Sequence, residues 1–405
     1  MAGRLLLFAA TTGYQIRAFA EAANRLGIDL TLATDRCHVL DDPWGDHAIA
    51  VKFDRVEESV ETLREQRFDA VAAVGDRPAV LAAEAAAVLG LRFHPPAAAR
   101  ACHDKYSARC SYQAAGLSVP PFFQCALDED PGVVAARAPY PCVLKPLGLS
   151  ASRGVIRANT ESEFIDAFHR IHKMGESRVH VEGYIEGREF ALEGLVTGGQ
   201  FQALALFDKP DPLEGPFFEE TIYVTPSREP AGVQQVLVYA AARAVGALGL
   251  SHGPAHIELR YNREGAWILE VAARPIGGLC ARALRFRPAV PFEELILRHA
   301  FGEDVAGARL ADPASGVMMI PIPKGGIYES VEGVERARAV PGIDDVMITA
   351  KEGQLLLPLP EGSSYLGFLF ARGDSPAKVE SALRGAHAEL RFHIATALET
   401  FKPSS

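Results

Sequence analysis

The chain has 405 residues, enough for two or three domains that each bury a core. Apolar residues make up 48% and charged residues 23%, the ordinary mixture of a soluble globular protein. The formal charge of −10, interrupted by no basic stretch, argues against general nucleic-acid binding.

No apolar stretch reaches the roughly 18 residues of a membrane span, so none is expected to cross one. The six cysteines, Cys37, Cys102, Cys110, Cys125, Cys142 and Cys280, include no CxxC pair and read as reduced thiols of a cytosolic protein. Residues 5–10 have the apolarity of a signal-peptide core, but the run is brief and an amphipathic helix follows it.

In chain order, residues 4–10 read as an apolar strand, Thr11-Thr12-Gly13 as a turn and 14–26 as a helix stopped by Gly27, followed by a strand at 29–33. Strand, helix, strand implies a parallel sheet. The pattern recurs with a strand at 70–74, the loop Gly75-Asp76-Arg77-Pro78, a helix at 79–89 and a short strand near 91–93. These residues predict a small doubly wound α/β domain whose ligand loops follow the strands. No GxGxxG is present, so no dinucleotide site is assigned.

His94-Pro95-Pro96 opens a helical stretch to about residue 115, with Asp104 as an internal N-cap and Lys105 in the first turn behind it. A lysine there opposes the helix dipole, and a nearby phosphate would account for it. Cys142-Val143-Leu144-Lys145-Pro146 is a strand ending in a lysine, followed by a loop of small residues, 147–154. Such a loop can present amides to phosphates, though it lacks a P-loop ending. Thr160-Glu161-Ser162-Glu163 is a capping box opening a helix to about residue 173. Residues 179–190, VHVEGYIEGREF, run from strand to turn, and an Ala-rich helix at 231–248 precedes a hairpin.

That hairpin joins 255–261 (AHIELRY) to 267–273 (WILEVAA) through Asn262-Arg263-Glu264-Gly265. With Tyr261 paired to Trp267, period-2 alternation puts Ile257, Leu259, Leu269 and Val271 on a core face and His256, Glu258, Arg260 and Glu270 on the other. Glu258 then faces Glu270 with Cβ atoms about 4.5–5.5 Å apart. Like charges placed so are unfavourable unless a cation lies between them, and paired carboxylates suit a hard cation such as Mg2+. Arg274-Pro275-Ile276-Gly277-Gly278 follows, a guanidinium fork beside backbone that a ligand can approach closely.

In order, these features resemble the ATP-grasp superfamily, and within it the carboxylate–amine ligases, above all bacterial L-amino-acid (dipeptide) ligases. The resemblance covers nearly the whole chain. It implies an N-terminal doubly wound α/β domain over 1–95, an ATP-grasp domain over 96–300 with a lid lobe at about 118–190, and a C-terminal α+β domain over 301–405. The cofactors it implies are ATP and Mg2+, or Mn2+ in its place. The partners implied are small-molecule carboxylate and amine substrates, without nucleic acid or membrane, with a homodimer left open and a cytoplasmic setting.

Residue by residue, the resemblance gives Lys105 and Lys145 to the phosphates, with Ser150, Ser152 and Gly154 in the covering loop. Glu182, Gly183, Tyr184 and Ile185 would hold adenine, and Glu189 the ribose. Glu258 and Glu270 would hold the metal, Arg274 the transferred phosphoryl group, and Gly277 and Gly278 a substrate carboxylate. The stretch containing Phe218, Glu220 and Pro226 fits F-x-E…H…P, where the glutamate recognises a substrate amino group; His256 is a further substrate or carboxylate contact. Two positions depart from the pattern: Ala272 replaces the asparagine of E-x-N-x-R, and Tyr223 replaces the histidine. A bicarbonate-using carboxylase of purine-pathway type and a non-catalytic nucleotide-binding regulator are the rival expectations.

Beyond the hairpin, strands are expected at 317–320, 326–330, 345–349, 354–357 and 365–371. A helix opened by Asp374-Ser375-Pro376 is expected to run to about residue 392.

Overall fold

The structure, a computed structural model, describes residues 3–10, 14–35 and 47–396. Thr11-Thr12-Gly13 and Cys37 lie outside the described residues. The chain forms two compact units, one of Met1–Gln124, Ile185–Asp208 and Thr225–Asp312, the other of Cys125–Tyr184, Lys209–Val224 and Pro313–Ser405.

In the first unit, the strands Ala48–Ala50, Asp29–Thr34, Arg4–Ala9 and Ala70–Val74 lie side by side in that order, all parallel. Leu5, Leu6, Leu7 and Phe8 are wholly buried, which is why a continuous apolar run rather than an alternating one marks this strand. The helix expected at 79–89 starts earlier, as Asp76–Leu89, directly after Gly75. The short strand expected near 91–93 is absent: the Leu91 amide bonds back to the Ala86 carbonyl at 2.9 Å and closes the helix end instead. The next helical stretch divides into Pro96–His103 and Lys105–Ala114, because Asp104 is extended and its carboxylate accepts from the Ser107 amide at 2.7 Å.

The same unit holds four successive antiparallel strands, Gly265–Ala272, His252–Asn262, Arg188–Thr197 and Gln200–Asp208. Leu192, Val196, Ile257, Leu259, Ile268 and Val271 pack in one core with Leu237, Ala241, Ala244 and Val245 of the helix Ala231–Leu248. By length and composition that helix could cross a membrane, but the face carrying these residues is committed to the core.

In the second unit, Arg178–Gly183, Cys142–Pro146 and Ile156–Ala158 are antiparallel neighbours, backed by Phe164, Phe168 and Ile171 of the helix Glu161–Lys173. Thr160 caps that helix as the capping box requires, although Glu163 returns its carboxylate to the Asn159 amide, at 2.7 Å, rather than to its own cap. Ala314–Ile320, Gly367–Gly373 and Ile343–Ile348 form an antiparallel set covered by the helix Pro376–Ala388, capped by Ser375. The helix expected to reach residue 392 ends at Ala388. Residues 391–395 instead form the strand Arg391–Ala395, which pairs with Gly326–Glu332.

Three histidines of the first unit lie close together. The rings of His252 and His299 stack 4.1 Å apart, and His94 Nε2 lies 2.9 Å from the Pro254 carbonyl. Burial pushes His94 and His299 down to about 4; the neighbouring histidines add to this, and at His299 so does Arg92. Between the ordinary value of 6.5 and about 4, the unfolded chain therefore binds more protons at these positions than the folded one. Stability is expected to be complete above pH 6.5 and to fall as the pH drops towards 4, lowering the Tm by several degrees. Calorimetry across this range should show that slope, with His94→Gln flattening part of it; a flat wild-type profile contradicts the burial argument.

Candidate active site

The hairpin of the first unit places Glu258 directly opposite Glu270, but by a different register from the one expected. Asn262 pairs with Gly265 across a two-residue turn, Tyr261 with Ala266 and Arg260 with Trp267. Gly265 takes a φ of 121°, and Asn262 Oδ1 accepts from the Glu264 amide at 2.9 Å, which shapes the tight turn. This ladder is one residue out of step with the Tyr261–Trp267 pairing. A bulge between Glu258 and Leu259 absorbs the offset and restores Glu258 to Glu270. As a result Ile268, not Leu269, is the core residue of the second strand.

The neighbouring strand completes a polar stripe. His256 pairs in register with Glu193, Glu258 with Ala191 and Arg260 with Glu189. Arg260 Nε donates to Glu189 Oε2 at 2.9 Å. His256 Nδ1 bonds the fully buried Glu193, and its Nε2 lies 3.4 Å from Glu258 Oε1. Burial disfavours the imidazolium, yet Glu193 and then Glu258 outweigh it and push His256 up to about 9. His256 is thus a cation at neutral pH, set between two carboxylates. The other oxygen of Glu193 accepts from the Ile276 amide at 3.1 Å, and Gln15 Nε2 donates to the Ile276 carbonyl. The segment carrying Gly277 and Gly278 is held by both.

Arg274 is fixed by Asp76, whose two carboxylate oxygens accept from its Nε at 2.7 Å and its Nη2 at 3.2 Å. Burial would raise the Asp76 carboxyl, but the Arg274 charge and hydrogen bonds hold it below the usual range, with Lys105 and His103 adding. Burial lowers the Arg274 guanidinium and Asp76 more than restores it, with Glu270 contributing. Asp76 therefore lies within electrostatic reach of Arg274 and Lys105, and Arg274 within reach of Glu270. Sequence reasoning placed Asp76 in a ligand loop but did not foresee this pairing, and it passed over Glu193 and Gln15. A glutamate inside the apolar run FALEGLV was the available signal for Glu193.

In the second unit, Lys145 Nζ lies 2.7 Å from Glu182 Oε1, and His180 Nε2 lies 3.0 Å from Glu182 Oε2. The carboxylate of Glu182 is thereby turned to its neighbouring strand, while the Tyr184 amide donates to the Pro141 carbonyl at 2.7 Å. The Arg157 guanidinium lies 3.9 Å from the centre of the Tyr184 ring, and Phe218 stacks with the same ring at 6.4 Å. In the small-residue loop Ala151 and Ser152 are left-handed at φ 56° and 55°, a rare backbone for side-chain-bearing residues, and the turn is closed by the Arg153 amide on the Ser150 carbonyl at 3.3 Å and the Val155 amide on the Ser152 carbonyl at 3.1 Å. Gly154 bonds the Pro360 carbonyl at 2.9 Å, and a Cβ there would stand 2.6 Å from the Pro146 ring. Glu220 bonds Lys209 and, at 2.6 Å, the Tyr223 hydroxyl.

Residues 138–283 match the ATP-grasp domain model, and residues 318–395 match the model of L-amino acid ligase C-terminal domain 2. The chain thus has an ATP-grasp fold, with one segment matching an ATP-grasp domain and another matching the C-terminal domain 2 of L-amino acid ligases. Among solved structures it is similar to the L-amino acid ligase from Bacillus licheniformis, at TM-score 0.81 and 25% identity, covering 97% of this chain and 99% of that one. It is 28% identical over 220 residues to alanine–anticapsin ligase of Bacillus subtilis, a match covering 48% of this chain and 46% of that protein. It is also 27% identical over 177 residues to D-alanine–D-alanine ligase of Pseudomonas entomophila, covering 42% of this chain and 54% of that protein. The chain thus spans about half the length of these curated relatives.

The Asp76–Arg274 pair yields a stability prediction. Asp76→Leu strands a largely buried guanidinium and is expected to cost about 3 kcal/mol in urea unfolding, whereas Asp76→Leu with Arg274→Met should recover most of that loss. Additive single effects in this double-mutant cycle would show that the two groups are not coupled.

Proposed function

We propose that the chain is an ATP-dependent carbon–nitrogen ligase. It activates a small carboxylic acid as an acyl phosphate and joins it to an amine, releasing ADP and phosphate. The observation that carries this reading is the hairpin: two opposed glutamates lead, four residues on from Glu270, into an arginine locked by Asp76. A sensor needs affinity for nucleotide but has no use for groups aimed at a transition state.

In the first unit, Glu258 and Glu270 offer the oxygen donors that a hard cation takes, and their direct opposition is otherwise unfavourable, so they fit Mg2+ or Mn2+. Such an ion, when bound, neutralises phosphate oxygens. Arg274, held by Asp76 through its Nε and Nη2 and by the Pro275 carbonyl through its Nη1, supplies a fixed positive charge to the transferred phosphoryl group. Lys105 adds a second positive charge at a helix start, and the amides of Gly277 and Gly278 take a substrate carboxylate. Glu189, oriented by Arg260, takes the ribose hydroxyls, and His256 keeps Glu258 in place. In the second unit, Lys145 takes phosphates and the loop carrying Ser150, Ser152 and Gly154 covers them. The backbone from Glu182 to Tyr184, continued at Ile185, takes adenine. Glu220 takes the acid substrate. Positioning and charge neutralisation perform the chemistry, and no side chain acts as a nucleophile.

The reading is tested by ADP release with paired acids and amines and mass detection of the condensed product. ADP and phosphate are expected, and EDTA should abolish turnover. AMP with pyrophosphate would overturn the acyl-phosphate route, and bicarbonate-dependent phosphate release without an amine would favour a carboxylase. Glu270→Gln should lower kcat by a factor on the order of 100 or more without loss of fold. Arg274→Lys should lower kcat strongly while the ATP dissociation constant holds, because an ammonium cannot grip two oxygens as a planar fork does. Wild-type kcat in either variant would remove that residue from the assignment.

A further inference from the structure

Arg109 stands on the helix Lys105–Ala114 of the first unit and is 2% exposed. Its Nη1 donates to the Ile268 carbonyl at 2.6 Å and its Nη2 to the Leu269 carbonyl at 3.2 Å. Both acceptors belong to the strand Gly265–Ala272, which carries Glu270 and is the outermost described strand of its sheet. In an unbroken strand successive carbonyls point to opposite edges, so one guanidinium does not hold two in a row. Here the ladder skips a residue. Leu259 pairs with Ile268 and Glu258 with Glu270, which leaves Leu269 without a counterpart. At that interruption both carbonyls turn to one side, and the planar fork of Arg109 takes them together.

From this geometry we infer that Arg109 is a positioning residue for the Glu258–Glu270 pair, acting through the backbone of the bulge. The inference rests on the reading of that pair as a metal site. Arg109 clamps the surplus residue immediately before Glu270. Were the bulge to slip past that point, Glu258 would face Leu269, and the second carboxylate would leave the first. The same helix opens with Lys105, one turn ahead of Arg109 and on the same side. One rigid element therefore carries a phosphate-directed lysine and sets the phase of the strand that bears a metal ligand.

The test compares the wild type, Glu270→Gln, Arg109→Met and Arg109→Lys. Mn2+ binding to the ADP complex is followed by water-proton relaxation, nucleotide binding by calorimetry in EDTA, and ADP release against Mg2+ concentration. Arg109→Met should weaken Mn2+ binding at least tenfold while nucleotide affinity in EDTA stays within twofold. The Mg2+ concentration for half-maximal turnover should rise at least tenfold, and kcat at saturating Mg2+ should fall less than threefold. Arg109→Lys keeps the charge but not the fork and should weaken Mn2+ at least threefold, which decides the matter where Arg109→Met does not fold. Deleting Leu269 makes the ladder regular, and in that background Arg109→Met should change Mn2+ binding less than twofold. Unchanged Mn2+ binding in a folded Arg109 variant, nucleotide affinity lost in step with it, or an equal loss in both backgrounds overturns the inference and leaves the metal reading intact. Mn2+ bound equally by the wild type and Glu270→Gln removes the metal reading of the pair and the inference with it.

Discussion

Two carboxylates of the same charge, Glu258 and Glu270, face each other from adjacent strands of one hairpin. Held there by a β-ladder and by a core of Ile257, Ile268 and Val271 behind them, they cannot turn away as carboxylates on a loop would. Their neighbours respond to that concentration of charge. His256, with its charge sustained by Glu193, approaches Glu258, and Arg274, sustained by Asp76, feels Glu270. The site is a set of carboxylates interleaved with cations, each cation anchored by an acid from another segment.

Buried ion pairs of this kind add little net stability, because desolvation offsets most of the attraction, yet removing one partner leaves a stranded charge. Their value here is directional. Asp76 grips Arg274 through two parallel hydrogen bonds, which fixes the plane of the guanidinium. Glu193 bonds a ring nitrogen with one oxygen and the Ile276 amide with the other, so one buried side chain sets both a histidine and the loop that carries two glycines.

What the sequence made legible is local. The Asp104 cap before Lys105, the Thr160 cap, the Ser375–Pro376 helix start and the Ala231–Leu248 helix all follow from spacings within a turn or two. The opposed glutamates were read from a turn register that is one residue out, and the pairing holds because the bulge between Glu258 and Leu259, which no periodicity announces, restores it. The partners that orient them were not legible. Asp76 and Arg274 are 198 residues apart, and Glu193 and His256 are 63 apart, so no periodicity relates them. The strand Arg391–Ala395 was missed for a similar reason: its pairing partner, Gly326–Glu332, is some sixty residues earlier, and only that pairing distinguishes it from a helix tail.

The bulge between Glu258 and Leu259 separates two geometric duties of the hairpin. A ladder counts in twos, so the tight turn at Asn262–Gly265, continued without interruption, would have set Leu269 rather than Glu270 nearest in step with Glu258. The extra residue acts as a slip joint: the turn keeps its own phase and the carboxylates keep theirs. A loop lengthened by one residue can be taken up by straightening the strand at that joint. A change of one residue at the tip of the hairpin therefore need not disturb the facing pair of acids.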